Sequence, residues 1–379
     1  MSEVKILIVT GRTGGHFFPA KTFAETLKNR NPEAEIHFVL SRRTSGALLE
    51  DEEKNSGYFH YLPSFPWKGL FTFKVFSFIV SFLKAFSLSR KLIHQLRPDL
   101  VVGFGSYLAV PVIITARMRG IPTLMHEQNA VMGKANRFLL PFVSQVAVSF
   151  SDTINHDSPQ KFVHTGNIIR RELYTASLMK REEANGYFRI LVLGGSQGAS
   201  GLNKMVMEAV TQMKEGTRQK IKITHLAGEQ DQEKVNATYR ECGVLSNVLA
   251  FSNEMGRHYR AADLVISRSG AGTLFETVQF QIPSILIPYP YAGAHQFQNA
   301  EALAKGGNAW IVDQRSGSAG DLVRKIESLI ENRGDLEHVK SRLRHILKVD
   351  DGESLCEVAL SMIRRQVNSK NQELQTASN

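Results

Sequence analysis

A short aliphatic run that stops at glycines and turns straight into a helix occurs twice in this chain. Residues 5–10 lead into Gly11-Arg12-Thr13-Gly14-Gly15-His16, and residues 188–193 lead into Gly194-Gly195-Ser196-Gln197-Gly198-Ala199. A strand that passes through glycines into a helix opens a βαβ unit, whose strands must lie parallel and whose helices must cover the sheet. Further β-branched runs follow the first instance at 35–40, 99–103, 123–126 and 143–148. Others follow the second at 222–225, 248–251, 264–267, 284–288 and 309–312, with helical stretches between them. The alternation predicts an α/β protein: two Rossmann-like domains, each a doubly wound parallel sheet, with an interdomain cleft. A looser stretch, 151–185, reads as the linker. The expected domains are 1–163 and 164–350, with a C-terminal helix and polar tail over 351–379, frayed beyond Gln366. A length of 379 residues suits two cores of this size.

Composition narrows the partners. The formal net charge of +10 favours anionic ligands or surfaces. No dense Lys/Arg block with interleaved aromatics and no zinc-finger spacing occurs, so nucleic acid is not an expected partner. The two cysteines, Cys242 and Cys356, stand in no metal or redox spacing and fit a reducing compartment. The opening MSEVKILIVT lacks a basic region and a cleavage site, and reads as a first strand rather than a signal peptide.

The glycine turns carry the chemistry. Small residues between strand and helix let backbone N–H groups approach phosphate or sugar oxygens, and the helix N-terminus adds partial positive charge. Neither turn has the G-x-G-x-x-G or Walker A spacing, so neither a dehydrogenase nor an NTPase is supported. A tight turn without a ligand is the bland reading of either one alone. Together, each behind the first strand of its unit, they are expected to face one another across the cleft. A third loop, Ser267-Arg268-Ser269-Gly270-Ala271-Gly272-Thr273, leads to Glu276, a carboxylate able to accept two hydrogen bonds from a ribose diol. Its bland reading is an acidic residue favoured by the helix dipole.

Taken in order, Thr13-Gly14-Gly15-His16, His126-Glu127-Gln128-Asn129, the loop from Gly194, Ser267–Gly270 with Glu276, and Gln296 with Asn299-Ala300 resemble one family. It is that of the bacterial N-acetylglucosaminyltransferases that convert lipid I to lipid II in peptidoglycan synthesis. The resemblance runs from residue 5 to about residue 345 and implies the GT-B fold. It implies UDP-N-acetylglucosamine as donor, held mostly by the C-terminal domain. The implied acceptor is undecaprenyl-diphospho-N-acetylmuramoyl-pentapeptide, and the implied location is the cytoplasmic face of the plasma membrane, as a peripheral protein. By motif, Thr13, Gly14 and Gly15 resemble the loop near the phosphates, and Asn129 a sugar-contacting residue. Arg170 and Ser196 resemble diphosphate contacts. Ala271, Gly272, Thr273, Leu274, Phe275 and Glu276 resemble the diphosphate and ribose segment. Gln296 resembles a contact to the sugar hydroxyls, and Phe251, Ser252 and Met255 the uracil site. The chain departs from the pattern at Arg12, where glycine is usual, at Ile168, where proline is usual, and at Ser252, where an apolar residue is common. Arg171, beside Arg170, competes for the arginine role.

The implied reaction inverts the anomeric centre: the acceptor 4-hydroxyl attacks C1 and UDP leaves through an oxocarbenium-like transition state. A base is needed, and His16 is the candidate because imidazole titrates near neutral pH. Glu127 is the alternative, and a His16 that only bonds backbone or acceptor phosphate is the bland reading. Backbone N–H groups of the second and third loops, with Arg170, can meet the leaving diphosphate. No Asp-x-Asp motif occurs, so no cofactor or metal ion is required by the sequence.

From Phe65 to Ile93 there is no acidic residue, and Phe71, Val75, Phe78, Phe82 and Phe86 recur at helical spacing opposite Lys74, Lys84 and Lys91. The lysines make the run too short to cross a bilayer. A basic, phenylalanine-rich amphipathic helix is expected to lie on an anionic membrane through Trp67, Phe71, Val75, Phe78, Phe82 and Lys84. The bland reading is a core-facing helix. The rival functions are another lipid-linked transferase such as a diacylglycerol glycosyltransferase, a UDP-sugar epimerase, and a silent nucleotide-sugar-binding protein. Other proteins of cell-wall synthesis stay open as partners.

Overall fold

The computed structural model describes residues 4–11, 13–41, 58–63, 74–154, 157–181, 186–194, 199–290 and 295–377. The chain divides into two units: residues 1–128, 132–168 and 350–379 form unit 1, and residues 129–131 and 169–349 form unit 2.

Unit 1 is built on seven parallel strands: β1 (Lys5–Val9), β2 (Glu35–Ser41), β3 (Tyr58–Leu62), β4 (Leu100–Gly103), β5 (Thr123–Glu127), β6 (Gln145–Val148) and β7 (Phe162–His164). Their order is β3-β2-β1-β4-β5-β6-β7. The innermost strands are buried on both faces, and the first is accordingly a continuous aliphatic run from Ile6 to Val9. Helix α1 (Gly14–Arg30) follows β1, α2 (Lys74–Leu96) precedes β4, α3 (Ala109–Met118) follows β4 and α4 (Lys134–Leu139) follows β5. One face of the sheet packs Ile6, Ile8 and Val102 against Phe23 and Leu27 of α1 and against Leu355, Cys356 and Ala359 of the C-terminal helix Glu353–Ala377. The other packs Leu7, Val9 and Val101 against Val112 and Ile113 of α3 and Ala85 and Ile93 of α2.

Unit 2 repeats the plan with six parallel strands: β8 (Phe188–Leu193), β9 (Ile221–Leu226), β10 (Leu245–Leu249), β11 (Leu264–Ser267), β12 (Ser284–Leu286) and β13 (Trp310–Ile311). The order is β10-β9-β8-β11-β12-β13. Helices α5 (Arg171–Ser177), α6 (Ser200–Gln212), α7 (Gln232–Glu241), α8 (Met255–Ala261), α9 (Ala271–Gln279) and α10 (His295–Ala304) flank it. Both sheets reverse direction of growth between the first and fourth strands, β1/β4 and β8/β11. That switch point is where open α/β sheets leave a crevice beyond the carboxyl ends of the strands.

Several expectations change. The stretch 151–185, read as a linker, contains β7 and α5. Strand β10 lies three residues earlier than expected, because Leu245 and Val248 rather than Phe251 take the paired positions beside β9. The tail expected to fray stays helical to Ala377, in keeping with its Lys, Gln, Glu and Leu content.

The amphipathic segment also differs. Phe78 and Phe82, expected on the membrane side, are partly buried and pack on the core of unit 1, and their rings stack on each other. The large rings bury the most area, so they take the inner face. Among the described side chains of α2, the exposed large apolar ones are Ile79, Val80, Leu83 and Leu88, beside exposed Lys84 and Lys91. Trp67 and Phe71, and the side chain of Val75, lie outside the described residues.

Candidate functional site

In unit 1 the turn after β1 delivers His16 to the switch point. His16 and Phe17 both direct their backbone N–H to the Thr13 carbonyl, 3.0 Å each, which starts α1. Thr13 and Gly15 are exposed and Gly14 is half-buried, so the turn's backbone stays open to a ligand. The His16 ring is held by two glycines. A Cβ on Gly105, which has φ +89°, would fall 2.9 Å from His16 Cε1, and one on Gly11 would fall 3.0 Å from Cδ2. Ser106, next in the chain, has φ +74°, an uncommon conformation for a residue with a side chain. Burial pushes the His16 pKa down, partly offset by the charge of Glu127, the Gln128 amide and the Phe104 carbonyl. The ring is therefore neutral at pH 7 and able to take a proton.

Glu127, the alternative base, is buried at 1% exposure. Its Oε2 accepts hydrogen bonds from the Gly133 N–H at 2.9 Å and from Asn136 Nδ2 at 2.8 Å, at the entrance to α4. That is the position of a carboxylate anchoring a helix N-terminus. His126 is wholly buried and its pKa is lowered by burial to about 4.

In unit 2 the loop after β11 is rigid on one side and open on the other. Arg268 is buried and donates to the carbonyls of Ile287 and Pro288, at 2.9 and 3.2 Å. Ser269 Oγ donates to the Gln296 carbonyl at 2.7 Å. Gly270 and Gly272 face open space, where a Cβ would meet nothing within 4 Å. Of the segment that follows, Ala271, Leu274 and Phe275 are buried in the unit, while Gly272 and Thr273 are half-buried.

Glu276 lies on α9, with Tyr259 Oη donating to its Oε2 at 2.7 Å and Arg170 Nη2 3.7 Å from its Oε1. Burial raises the Glu276 pKa, opposed by Arg170 and by the Tyr259 hydroxyl. Arg171, the competing arginine, is exposed.

Ser252 Oγ lies 2.9 Å from His258 Nε2 and accepts the Glu254 N–H at 3.0 Å, just before the buried Met255. Gln296 Oε1 accepts the Tyr289 N–H at 3.0 Å. Asn129 Oδ1 accepts from Asn299 Nδ2 at 3.1 Å, and Asn299 Oδ1 accepts the Ala130 N–H at 2.8 Å. Ser196 lies outside the described residues, as does Arg12. Among the described residues, no three His, Cys, Asp or Glu side chains gather as a metal site.

Sequence reasoning did not single out Gln128, Gly105, Tyr259 or Asn299 as site residues. Asn299 had a signal, standing one helical turn after Gln296, and Gln128 lies within the His126–Asn129 stretch. Tyr259 and Gly105 had none, since only tertiary packing brings them to Glu276 and His16.

The chain is similar to known proteins along most of its length. Residues 6–148 match the glycosyltransferase family 28 N-terminal domain, and residues 189–352 match the glycosyltransferase family 28 C-terminal domain. A protein of Geobacter sulfurreducens named UDP-N-acetylglucosamine–N-acetylmuramyl-(pentapeptide) pyrophosphoryl-undecaprenol N-acetylglucosamine transferase is 33% identical over 367 residues. The match covers 96% of this chain and 100% of that protein. The crystal structure of Acinetobacter baumannii MurG superposes with a TM-score of 0.75 at 27% identity, covering 95% of this chain and 99% of that one. A UDP-N-acetylglucosamine 2-epimerase superposes at 0.60 with 12% identity, covering 97% of this chain and 95% of that one, a likeness of fold alone.

Proposed function

The chain belongs to glycosyltransferase family 28, and from that membership we propose the activity its Geobacter sulfurreducens relative is named for. It transfers N-acetylglucosamine from UDP-N-acetylglucosamine to the 4-hydroxyl of N-acetylmuramic acid in undecaprenyl-diphospho-N-acetylmuramoyl-pentapeptide. The observation that carries this reading is the likeness to that transferase along its whole length.

In this reading unit 2 holds the donor. The N–H groups at the head of α9, from Ala271 to Thr273, meet the diphosphate, because a helix start offers unpaired donors and partial positive charge. Gly270 and Gly272 support this, since they leave room for phosphate oxygens to approach the backbone. Glu276 takes the ribose diol, with Tyr259 fixing one of its oxygens and Arg170 balancing its charge. Ser196 belongs to the diphosphate contacts, Ser252 and Met255 to the base, and Gln296 and Asn129 to the sugar. As C1 separates from the diphosphate, negative charge grows on the leaving UDP and falls to these amides and to Arg170. No metal ion is called for in this reading, as the chain has no Asp-x-Asp pair.

Unit 1 supplies the base. His16, neutral at pH 7, accepts the proton of the attacking hydroxyl as the C1–O bond forms. The hydrogen bonds that tie Glu127 to α4 favour an anchoring and electrostatic part for it over proton abstraction. The lipid acceptor requires work at a membrane surface, and the exposed Ile79, Val80, Leu83 and Lys84 of α2 fit an anionic leaflet. No described helix is long and apolar enough to cross a membrane.

The test is turnover of radiolabelled UDP-N-acetylglucosamine with a lipid I analogue, with diacylglycerol as the competing acceptor. Label is expected in the disaccharide lipid. Transfer to diacylglycerol instead, or epimerised sugar without transfer, would overturn the reading.

A further inference from the structure

Two neighbouring residues of unit 1 each bury a polar atom with no hydrogen-bond partner: Nδ1 of His16 and Oε1 of Gln128. A buried polar atom left unpaired is costly, so such orphans call for a partner. The direction of the Gln128 amide is fixed by its surroundings. His126 Nε2 lies 3.2 Å from the Gly166 carbonyl oxygen, which can only accept, so this nitrogen carries the proton. Nδ1 of the neutral ring is then bare. The amide atom 3.1 Å from it must donate and is Gln128 Nε2. The same Nε2 directs its second N–H to the Phe104 carbonyl at 3.4 Å. Both N–H groups are engaged, so Oε1 remains an acceptor in want of a donor, and the Gln128 amide already acts on the His16 ring.

We infer that Gln128 is a positioning residue for His16, its Oε1 accepting a hydrogen bond from His16 Nδ1–H after a small side-chain rotation. A chain of N–H donors then runs from His16 through Gln128 and His126 to the Gly166 carbonyl. The inference rests on the reading of His16 as the base, and it deepens that reading. A proton held on Nδ1 leaves the Nε2 lone pair for the acceptor hydroxyl. When Nε2 takes the proton, the Nδ1–H···O bond becomes charge-assisted and strengthens, at the moment positive charge forms. Gly11 and Gly105 close on the ring edges and keep it from turning away. The titratable groups acting on the pair are Glu127, whose charge reaches both His16 and His126, and the two imidazoles themselves. The Phe104 carbonyl is the competing acceptor for His16.

The experiment is ¹⁵N NMR of the full chain labelled at histidine, with pH–kcat profiles on the same proteins. In the wild type, neutral His16 is expected to carry its proton on Nδ1. This is read without any substitution and decides even where a variant fails to fold. Gln128→Met should release the tautomer preference and lower the His16 pKa. It should also cut kcat roughly tenfold to a hundredfold, a share of the ~10²–10⁴ that a positioned base supplies, with the donor KM within about twofold. Gln128→Glu keeps an acceptor and adds charge, so the acidic limb of its profile should move to higher pH while that of Gln128→Met moves lower. A residue that only holds the fold would not shift the limb in opposite directions. Neutral His16 protonated on Nε2, or limbs that move together or stay in place, would overturn the inference. His16→Ala turning over like the wild type, with the NMR shifts as expected, overturns the base assignment alone and upholds the hydrogen-bond chain.

Discussion

His126 and His225 are sealed in different units, and burial holds both neutral, with pKa values pushed down to about 4 and about 3. His225 is fully bonded: its Nδ1 lies 2.7 Å from Tyr239 Oη and its Nε2 lies 3.0 Å from Asn203 Oδ1. An unfolded histidine titrates near 6.5. Below that pH the unfolded chain binds protons that the folded chain refuses, so stability falls as pH drops from about 6.5 toward the folded values. At pH 5 the loss is up to roughly 2 kcal/mol for each ring. Urea midpoints at pH 7 and pH 5 measure it, and in His225→Asn the fall in unit 2 should shrink by about that amount. An unchanged pH response in that variant would refute the assignment. At this scale the sequence singled out His16 and Glu276 as candidates, because glycine spacing announces a turn and a helix start. It did not show Gln128 or Tyr259. Their partners, Phe104 and His16 for one and Glu276 for the other, come beside them only through tertiary packing.

Helix α2 shows what periodicity can and cannot settle. The spacing of Phe78 and Phe82 placed them on one face, as the structure does, but not on which side of the helix the core would lie. Burial of Ala85, Ser89 and Ile93 fixes that side, and Ser89 satisfies its hydroxyl on the Ala85 carbonyl at 2.7 Å. Substituting serine for Ile79, Val80 and Leu83 together should therefore weaken binding to anionic vesicles, roughly tenfold for the loss of about 1.4 kcal/mol or more of apolar contact. The melting temperature should stay near that of the wild type. Phe82→Ser should instead lower stability. Co-sedimentation beside thermal melts would separate the two, and vesicle binding unaffected by the triple change would remove α2 from the membrane contact. Strands β3 and β7 escaped the sequence reading for a related reason. Each is short and sits toward an edge of its sheet, where one neighbour suffices and the aliphatic signature of a central strand is not needed.

For the molecule as a whole, two doubly wound units were legible from the repeated strand–glycine–helix opening. The path of the chain between them was not. After unit 2 the chain returns to unit 1, where Leu355, Cys356 and Ala359 are fully buried against Phe23 and Leu27. Thr26 Oγ1 donates to the Asp351 carbonyl at 2.9 Å, and Gly352, at φ +97°, makes the turn beside it. A leucine or isoleucine buried this way contributes about 1.5–3 kcal/mol, and a domain's net stability is only about 5–15 kcal/mol. A chain ending at residue 349 should thus lose amide-exchange protection throughout β1, β4 and α1 while β8, β9 and β11 keep theirs. Equal protection in both units of the shortened chain would show that the last helix is dispensable.

The returning helix also sets an order of events during synthesis. Synthesis reaches the strands of the first sheet before those of the second, yet the residues that seal one face of the first sheet follow both. Unit 1 is thus completed only after unit 2 has been made, and until then its aliphatic surface beside α1 lacks the cover of Leu355, Cys356 and Ala359 and is open to association with other nascent chains.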